Sequence, residues 1–562
     1  MPVPASALAA VLALLSTALA PAAPLHQRID QLIAAGHPDY AKQAAPSASD
    51  AEFHRRVTLD LTGTIPTAAD ARAFLADQSP DKRSRLVDQL LTSPGYARRM
   101  AQHFDVAFME RRRDEKVPRA AWEEYLRASF AANKPYDRLV REVLSADGAD
   151  PKNRGPAKFY LDRDLEPNLV TRDVARVFLG RNIQCAQCHD HPQIDDYKQA
   201  HFHGILAFLN RSYLFPNATD ANAVIAEKAE PGDVTFVSVF DKTKTQKSTG
   251  PKLPDGKPVA EPKLAKGQEY KVAPAKDVRP VPKFSRREML AKLIAAPDNP
   301  AFARTAANRL WALMLGRGLV HPLDLDHSSN PPSHPELLDL LADELVAHKY
   351  DVQWLLREIA LSKTYQRSSE VPAGLKEVPE DRYLVAALKP LAPEQLAFAV
   401  LQATGQTDAE RHGRRDPADV VFDAKLPPRA VPAIADLLRD AAEAALDAKL
   451  AARAAPFRGT FGGPPGEPED PGSATLAQAL FLKHGGAVRG LIAPRAGNLT
   501  HRLGTLSDPR AIADELFLGV LSRMPTDEER ADVAAALQGD RSAALAEVVW
   551  ALIASAEFRF NH

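Results

Sequence analysis

Only two cysteines occur in 562 residues, Cys185 and Cys188, and they lie three positions apart. That scarcity excludes a fold stapled by dispersed disulfides, and it gathers all the thiol chemistry of the chain at one place. Net charge is equally scarce: 71 Lys and Arg stand against 72 Asp and Glu, leaving −1. So balanced a chain carries no electrostatic footprint for nucleic acid or an anionic membrane, and neither is expected as a partner. Apolar runs of membrane-spanning length, about 20 residues, are absent beyond the N-terminal segment. A Gly-rich phosphate loop, a nucleophile elbow and an HExxH helix are all missing, which removes the nucleotide, esterase and zincin readings that rest on them. No repeat with a period of about 20–50 residues suggests a solenoid.

What is present is ordinary globular material, 45% hydrophobic and 25% charged, in a chain too long for a single core. Ser6 to Ala20 is apolar, uncharged and short, and Ala18-Leu19-Ala20 has the small-x-small pattern of a cleavage site. Residues 1–23 therefore read as a signal peptide, with retention as an N-terminal anchor as the alternative, and the protein is expected to be exported to the periplasm or beyond. Residues 24–50 follow as an N-terminal linker or helix.

The remainder is predicted to be mainly α: a multi-domain helical protein with a small β-hairpin or extended insertion between two helical parts. The first part spans 51–215. Thr67 stands as a cap three residues before Asp70, and helices are expected over 95–112, 118–132, 136–146 and 168–180, the last closed by Gly180. Residues 216–283 are Lys- and Pro-rich, with strand-like runs only at Val234–Val239 and Glu269–Val272. The second helical part spans 284–562. Within it Ser333 and Glu336 predict a capping box, and the Pro/Gly-rich stretch 453–472 predicts a mobile loop.

The chemically legible pattern is Cys185-Ala186-Gln187-Cys188-His189. Two thiols at this spacing can add to the vinyl groups of a haem, while the adjacent imidazole coordinates its iron from one face. The expected covalent haem c would thus be held by Cys185 and Cys188, with His189 as the iron ligand. Two other readings stay open. Zinc could be held by Cys185 and Cys188 with two of His189, His191, His201 and His203; or the cysteines could form a structural dithiol or disulfide. For a second axial ligand, no methionine follows His189 until Met289. His201 and His203 remain, on the next expected helix, and Gly204 favours His203 by permitting close approach of a flat ring.

A wider pattern accompanies this motif. Arg55 to Gly63 reads RRVTLDLTG, Thr171 to Gly180 reads TRDVARVFLG, and Ile183 to Pro192 reads IQCAQCHDHP. Further on come Asn308-Arg309-Leu310-Trp311, Ser329 to Asp339 (SNPPSHPELLD), Thr364 to Ser369 (TYQRSS) and a closing Glu557 to His562 (EFRFNH). In these motifs, which run through nearly all of the expected mature chain, the sequence resembles a two-part planctomycete cytochrome c-like family of exported proteins of unknown function. The resemblance implies a cytochrome-like first domain bearing CxxCH and a second, family-specific domain, without assigning an activity. His103-Phe104-Asp105 departs from it, standing where relatives usually carry a tryptophan.

The expectation is an exported c-type haem-binding protein with an electron-transfer or redox accessory role and an unidentified extracytoplasmic protein partner. The alternative is an exported scaffold whose CxxCH loop is structural. Two other clusters, Asp324, Asp326, His327 and His334, and Arg304, Asn308 and Arg309, read as structural rather than catalytic.

Overall fold

The computed structural model describes residues 23–217, 219–230, 232–412, 431–468 and 475–562. The proposed signal segment through residue 22 therefore lies outside the described residues. Among the described residues the chain is mainly helical, interrupted by four two-stranded antiparallel sheets. None of the described helices is long and apolar enough to cross a membrane.

In the first part the helices begin and end where local chemistry asks. Ser49 caps Asp50–Thr62 by accepting from the Glu52 amide, and Thr67 caps Ala68–Ala76 through the Asp70 amide. Pro94–Met109, Arg119–Ala131, Tyr136–Ser145 and Pro167–Leu179 follow, each within a few residues of its expected bounds. The N-terminal helix Leu25–Ala35 buries Leu25, Ile29 and Ile33, so this segment is packed into the body.

After the helix Gln199–Leu209 come β1 (Ser212–Phe215) and β2 (Val224–Glu227), a hairpin with Tyr213 opposite Ala226. Then β3 (Val234–Phe236) pairs with β4 (Lys247–Thr249), and β5 (Tyr270–Val272) with β6 (Val281–Pro282). The insertion thus holds strands in both expected runs and adds β2, β4 and β6, whose pairing the local sequence does not announce.

The second part resumes with Arg286–Ile294, Pro300–Leu315, Pro335–Ala347 and Val352–Leu361. These four helices share one hydrophobic core with the first part, running from Leu25 to Leu384. A separate core is built from Leu391 to Phe558, joined by Leu59 and Ile65. The insertion at 216–283 therefore interrupts the sequence without dividing the core.

Two local expectations differ. His334, not Ser333, occupies the position before Pro335–Ala347; no side chain caps it, and the Ser333 hydroxyl lies 3.2 Å from His334 Nδ1. The stretch 453–472 is not a loop throughout, because the helix Val431–Phe461 continues through Pro456. Leu446, Leu450, Ala454 and Phe457 are buried at helical spacing, and their packing outweighs the one backbone bond that Pro456 forgoes. Residues 469–472 of that stretch lie outside the described residues.

The helix Asp50–Thr62 meets the C-terminal segment here. Arg55 donates to the carbonyls of Val520 and Phe558, and Arg56 to those of Tyr365 and Arg367. Opposite them β7 (Lys389–Pro390) pairs with β8 (Phe560–Asn561). Three widely separated sequence motifs are thus parts of one junction.

Candidate functional site

The helix Pro167–Leu179 delivers the cysteine turn. Glu166 caps its start, accepting from the Asn168 and Leu169 amides, and Gly180 ends it at φ 66°. A side chain at Gly180 would be strained by that conformation and would bring its Cβ within 2.8 Å of Thr305 Oγ1. The helix is anchored by Asp173, whose carboxylate takes Arg163 Nε at 2.7 Å and Arg112 at 3.2 Å. Beyond Gly180 the chain is tied to the second part: Asn182 donates to the Asp324 carbonyl, and Asp326 to that of Gly180.

Gln184–Gln187 then forms a 3₁₀ turn, with the Cys188 amide bonded to the Cys185 carbonyl at 3.3 Å. Cys185 lies within this turn and Cys188 closes it, so the two thiols flank a single turn. They are exposed free thiols. His189 follows with Nδ1 2.7 Å from the Asp190 carbonyl. A carbonyl only accepts, so Nδ1 is the donor in this contact, and Nε2 is the ring nitrogen left for an iron. The donor set of two accessible thiols and one imidazole with an available Nε2 fits a covalent haem. Cys185 and Cys188 would hold its edge and His189 its iron.

The other candidate histidines are otherwise engaged. His191 Nδ1 accepts from the Gln193 and Ile194 amides at 3.2 and 3.0 Å, bracing the following turn. His201 Nδ1 lies 3.5 Å from the Lys198 amide at the start of its helix. His203 is buried, its ring stacked on Phe236 at 4.3 Å with planes 3° apart. Its Nε2 lies 3.2 Å from the Gln187 carbonyl and donates to it, so His203 braces the thiol-bearing turn from behind. Burial lowers the pKa of both His201 and His203. Among the described residues no three His, Cys, Asp or Glu side chains converge as a metal-holding group, so Cys185, Cys188 and His191 are not gathered for zinc.

What the sequence did not disclose is the cover. The segment after β3 lies along the motif, with the Val239 amide donating to the Cys188 carbonyl at 3.0 Å and Gln199 Nε2 reaching the carbonyls of Gln187 and Val237. Phe240 sets its ring 4.5 Å from that of His189 while remaining 71% exposed. Val237 and Val239 are exposed beside it, a small apolar surface next to the thiols. The strand-like run 234–239 was visible in the sequence, but its docking on a motif some fifty residues earlier was not.

The second part holds the segment that follows the motif. Asp196 accepts from the amide and hydroxyl of Ser328, and Tyr197 donates to the Asp326 carbonyl at 3.3 Å. His327 packs edge-on against Tyr197, whereas His334 packs against Tyr383, so that acidic and histidine cluster does not converge. Asn308 holds both the amide and the carbonyl of Val320, Arg304 pairs with Asp339, and Arg309 donates to the Arg176 carbonyl. Both groups are structural.

The fold and site define a mainly helical protein that displays a CxxCH turn at the seam between its two parts. Residues 28–213 match the family model PSCyt2, a protein of unknown function (DUF1549), and residues 286–537 match PSD1, a protein of unknown function (DUF1553). The two matches follow one another along the chain in a two-domain arrangement. No curated protein and no solved structure matches it.

Proposed function

We propose that this chain is an exported c-type haem carrier with an electron-transfer or redox accessory role. One observation carries the reading: two free, exposed thiols flank one turn beside an imidazole whose Nδ1 is tied to the Asp190 carbonyl. Cys185 and Cys188 are available for thioether formation, and His189 Nε2 is the nitrogen that would take the iron. Bound there, the haem would supply a reversible one-electron centre. Gln199 and His203 hold the turn in place through the Gln187 carbonyl. His203 can act as a second ligand only by releasing that bond, and His201 only by turning away from Lys198.

The test is expression of the full chain with a cytochrome c maturation system, followed by haem staining of a denaturing gel and elemental analysis. Covalent haem that disappears in Cys185→Ser and Cys188→Ser is the expected result. Stoichiometric zinc without iron, or an apoprotein that resists maturation, overturns the reading and favours a structural CxxCH loop.

A further inference from the structure

The junction of the helix Asp50–Thr62 with the C-terminal strand contains a set of reactive groups unrelated to the thiols. In the pairing of β7 with β8, Lys389 stands directly opposite Asn561. Asp60, from the helix Asp50–Thr62, lies against this pair. Its Oδ1 accepts from Lys389 Nζ at 2.6 Å and from Asn561 Nδ2 at 2.7 Å, and its Oδ2 accepts from the Tyr365 hydroxyl at 2.8 Å. Asp60 and Asn561 are each 2% exposed. Lys389 Nζ also donates to the carbonyls of Met314 at 2.7 Å and Leu313 at 3.3 Å, at the end of the helix Pro300–Leu315. An amine, a carboxyl group and a carboxamide thus meet around a single oxygen atom, largely shielded from water.

A conventional ion pair accounts for all of these contacts but one. Asn561 Oδ1 is buried and has no hydrogen-bond partner among the described residues. An unmade bond at a buried carbonyl costs about 1–3 kcal/mol, so an orphan of this kind calls for an explanation. Lys389 shares the Asp60 Oδ1 acceptor with that carboxamide and stands opposite it across the strand pair. Burial lowers its pKa, against the pull of Asp60, which favours the neutral, nucleophilic amine.

We propose that Lys389 and Asn561 form an intramolecular isopeptide bond with Asp60 as the proton-transfer group. One proton passes from the Lys389 ammonium to the Asp60 carboxylate. The free amine attacks Asn561 Cγ, forming the new C–N bond. The original Cγ–Nδ2 bond then breaks, and the departing nitrogen carries away the second of the lysine's three protons as ammonia. The amide nitrogen keeps the third, and Asp60 ends as the neutral acid. Charge is zero on both sides, and no oxidant or other reactant enters. The product also resolves the orphan. Protonated Asp60 can donate to the amide oxygen that was Asn561 Oδ1, while the remaining N–H keeps the carbonyl of Met314. The bond would tie β7 to β8 covalently, locking the junction that also holds Arg55 and Arg56.

The test is mass spectrometry on the purified wild-type chain after trypsin digestion. Cleavage after Arg559 would release Phe560-Asn561-His562 if no bond exists. The expected result is that tripeptide joined to the peptide containing Lys389, lighter than their sum by one ammonia. In Lys389→Arg and Asp60→Asn the joined species should be lost. Because either variant can fail to fold, the wild-type digest decides. A free tripeptide recovered in full overturns the proposal. So does a species lighter by one water, which would be an amide between Lys389 and Asp60 and would remove Asn561 as acyl donor.

Discussion

Asp173 offers the sharpest test of how the cysteine turn is held. Its side chain is fully buried, with Arg163 Nε at 2.7 Å and Arg112 at 3.2 Å on one oxygen, and Arg172 Nε at 2.9 Å and Arg176 at 3.5 Å near the other. Burial alone would raise its pKa, but Arg163, Arg172 and Arg176 lower it from 3.8 to about 2. At about 1.4 kcal/mol per pH unit, that depression corresponds to roughly 2 kcal/mol of folding stability at neutral pH. Asp173→Asn removes this contribution and also leaves Arg163, itself wholly buried, without its counter-charge. Removing one partner of a buried pair costs about 3–5 kcal/mol, the range expected here at pH 7. Because the folded-state pKa is the lower one, the unfolded chain takes up the proton first as pH falls. The stabilisation is therefore complete above 3.8 and is lost as pH drops toward about 2. Urea unfolding followed by far-UV circular dichroism at pH 7 and at about pH 3 should show the gap between wild type and variant narrowing in acid. A loss below about 1 kcal/mol at pH 7, or a gap that does not change with pH, would refute the reasoning.

Other perturbations follow from the same physics. His54 is buried against Phe74, with ring centroids 4.6 Å apart, and burial, opposed by Asp70, lowers its pKa from 6.5 to about 4. The unfolded state protonates first, so this group should withdraw about 3 kcal/mol of stability between pH 6.5 and 4, and His54→Phe should flatten that part of the unfolding profile; an unchanged slope disproves it. Gly180→Ala should lower stability by about 1–2 kcal/mol through left-handed strain and the approach to Thr305, and a melting temperature equal to wild type would contradict that.

Local chemistry made much of the secondary structure legible. Ser49, Thr67 and Gly180 act within a few residues of themselves, so caps and helical spacing are readable without knowing the fold. The Cys185–His189 turn was legible for the same reason, since a three-residue spacing is itself the geometry. The Ser333 cap is not adopted: His334 occupies the position before the helix and packs against Tyr383, a contact between distant segments. Pro456 misled because buried neighbours at helical spacing outweigh one lost backbone bond.

The sequence by itself determined the helical class, the insertion and the pairing of two thiols with an imidazole, because each depends on residues close along the chain. Tertiary structure alone decided that helices on both sides of the insertion share a core, that Phe240 covers His189, and that His203 braces the Gln187 carbonyl. It alone brought Asp60, Lys389 and Asn561 together. These are contacts between distant segments, and their partners are chosen by how whole faces pack rather than by any pattern within one segment.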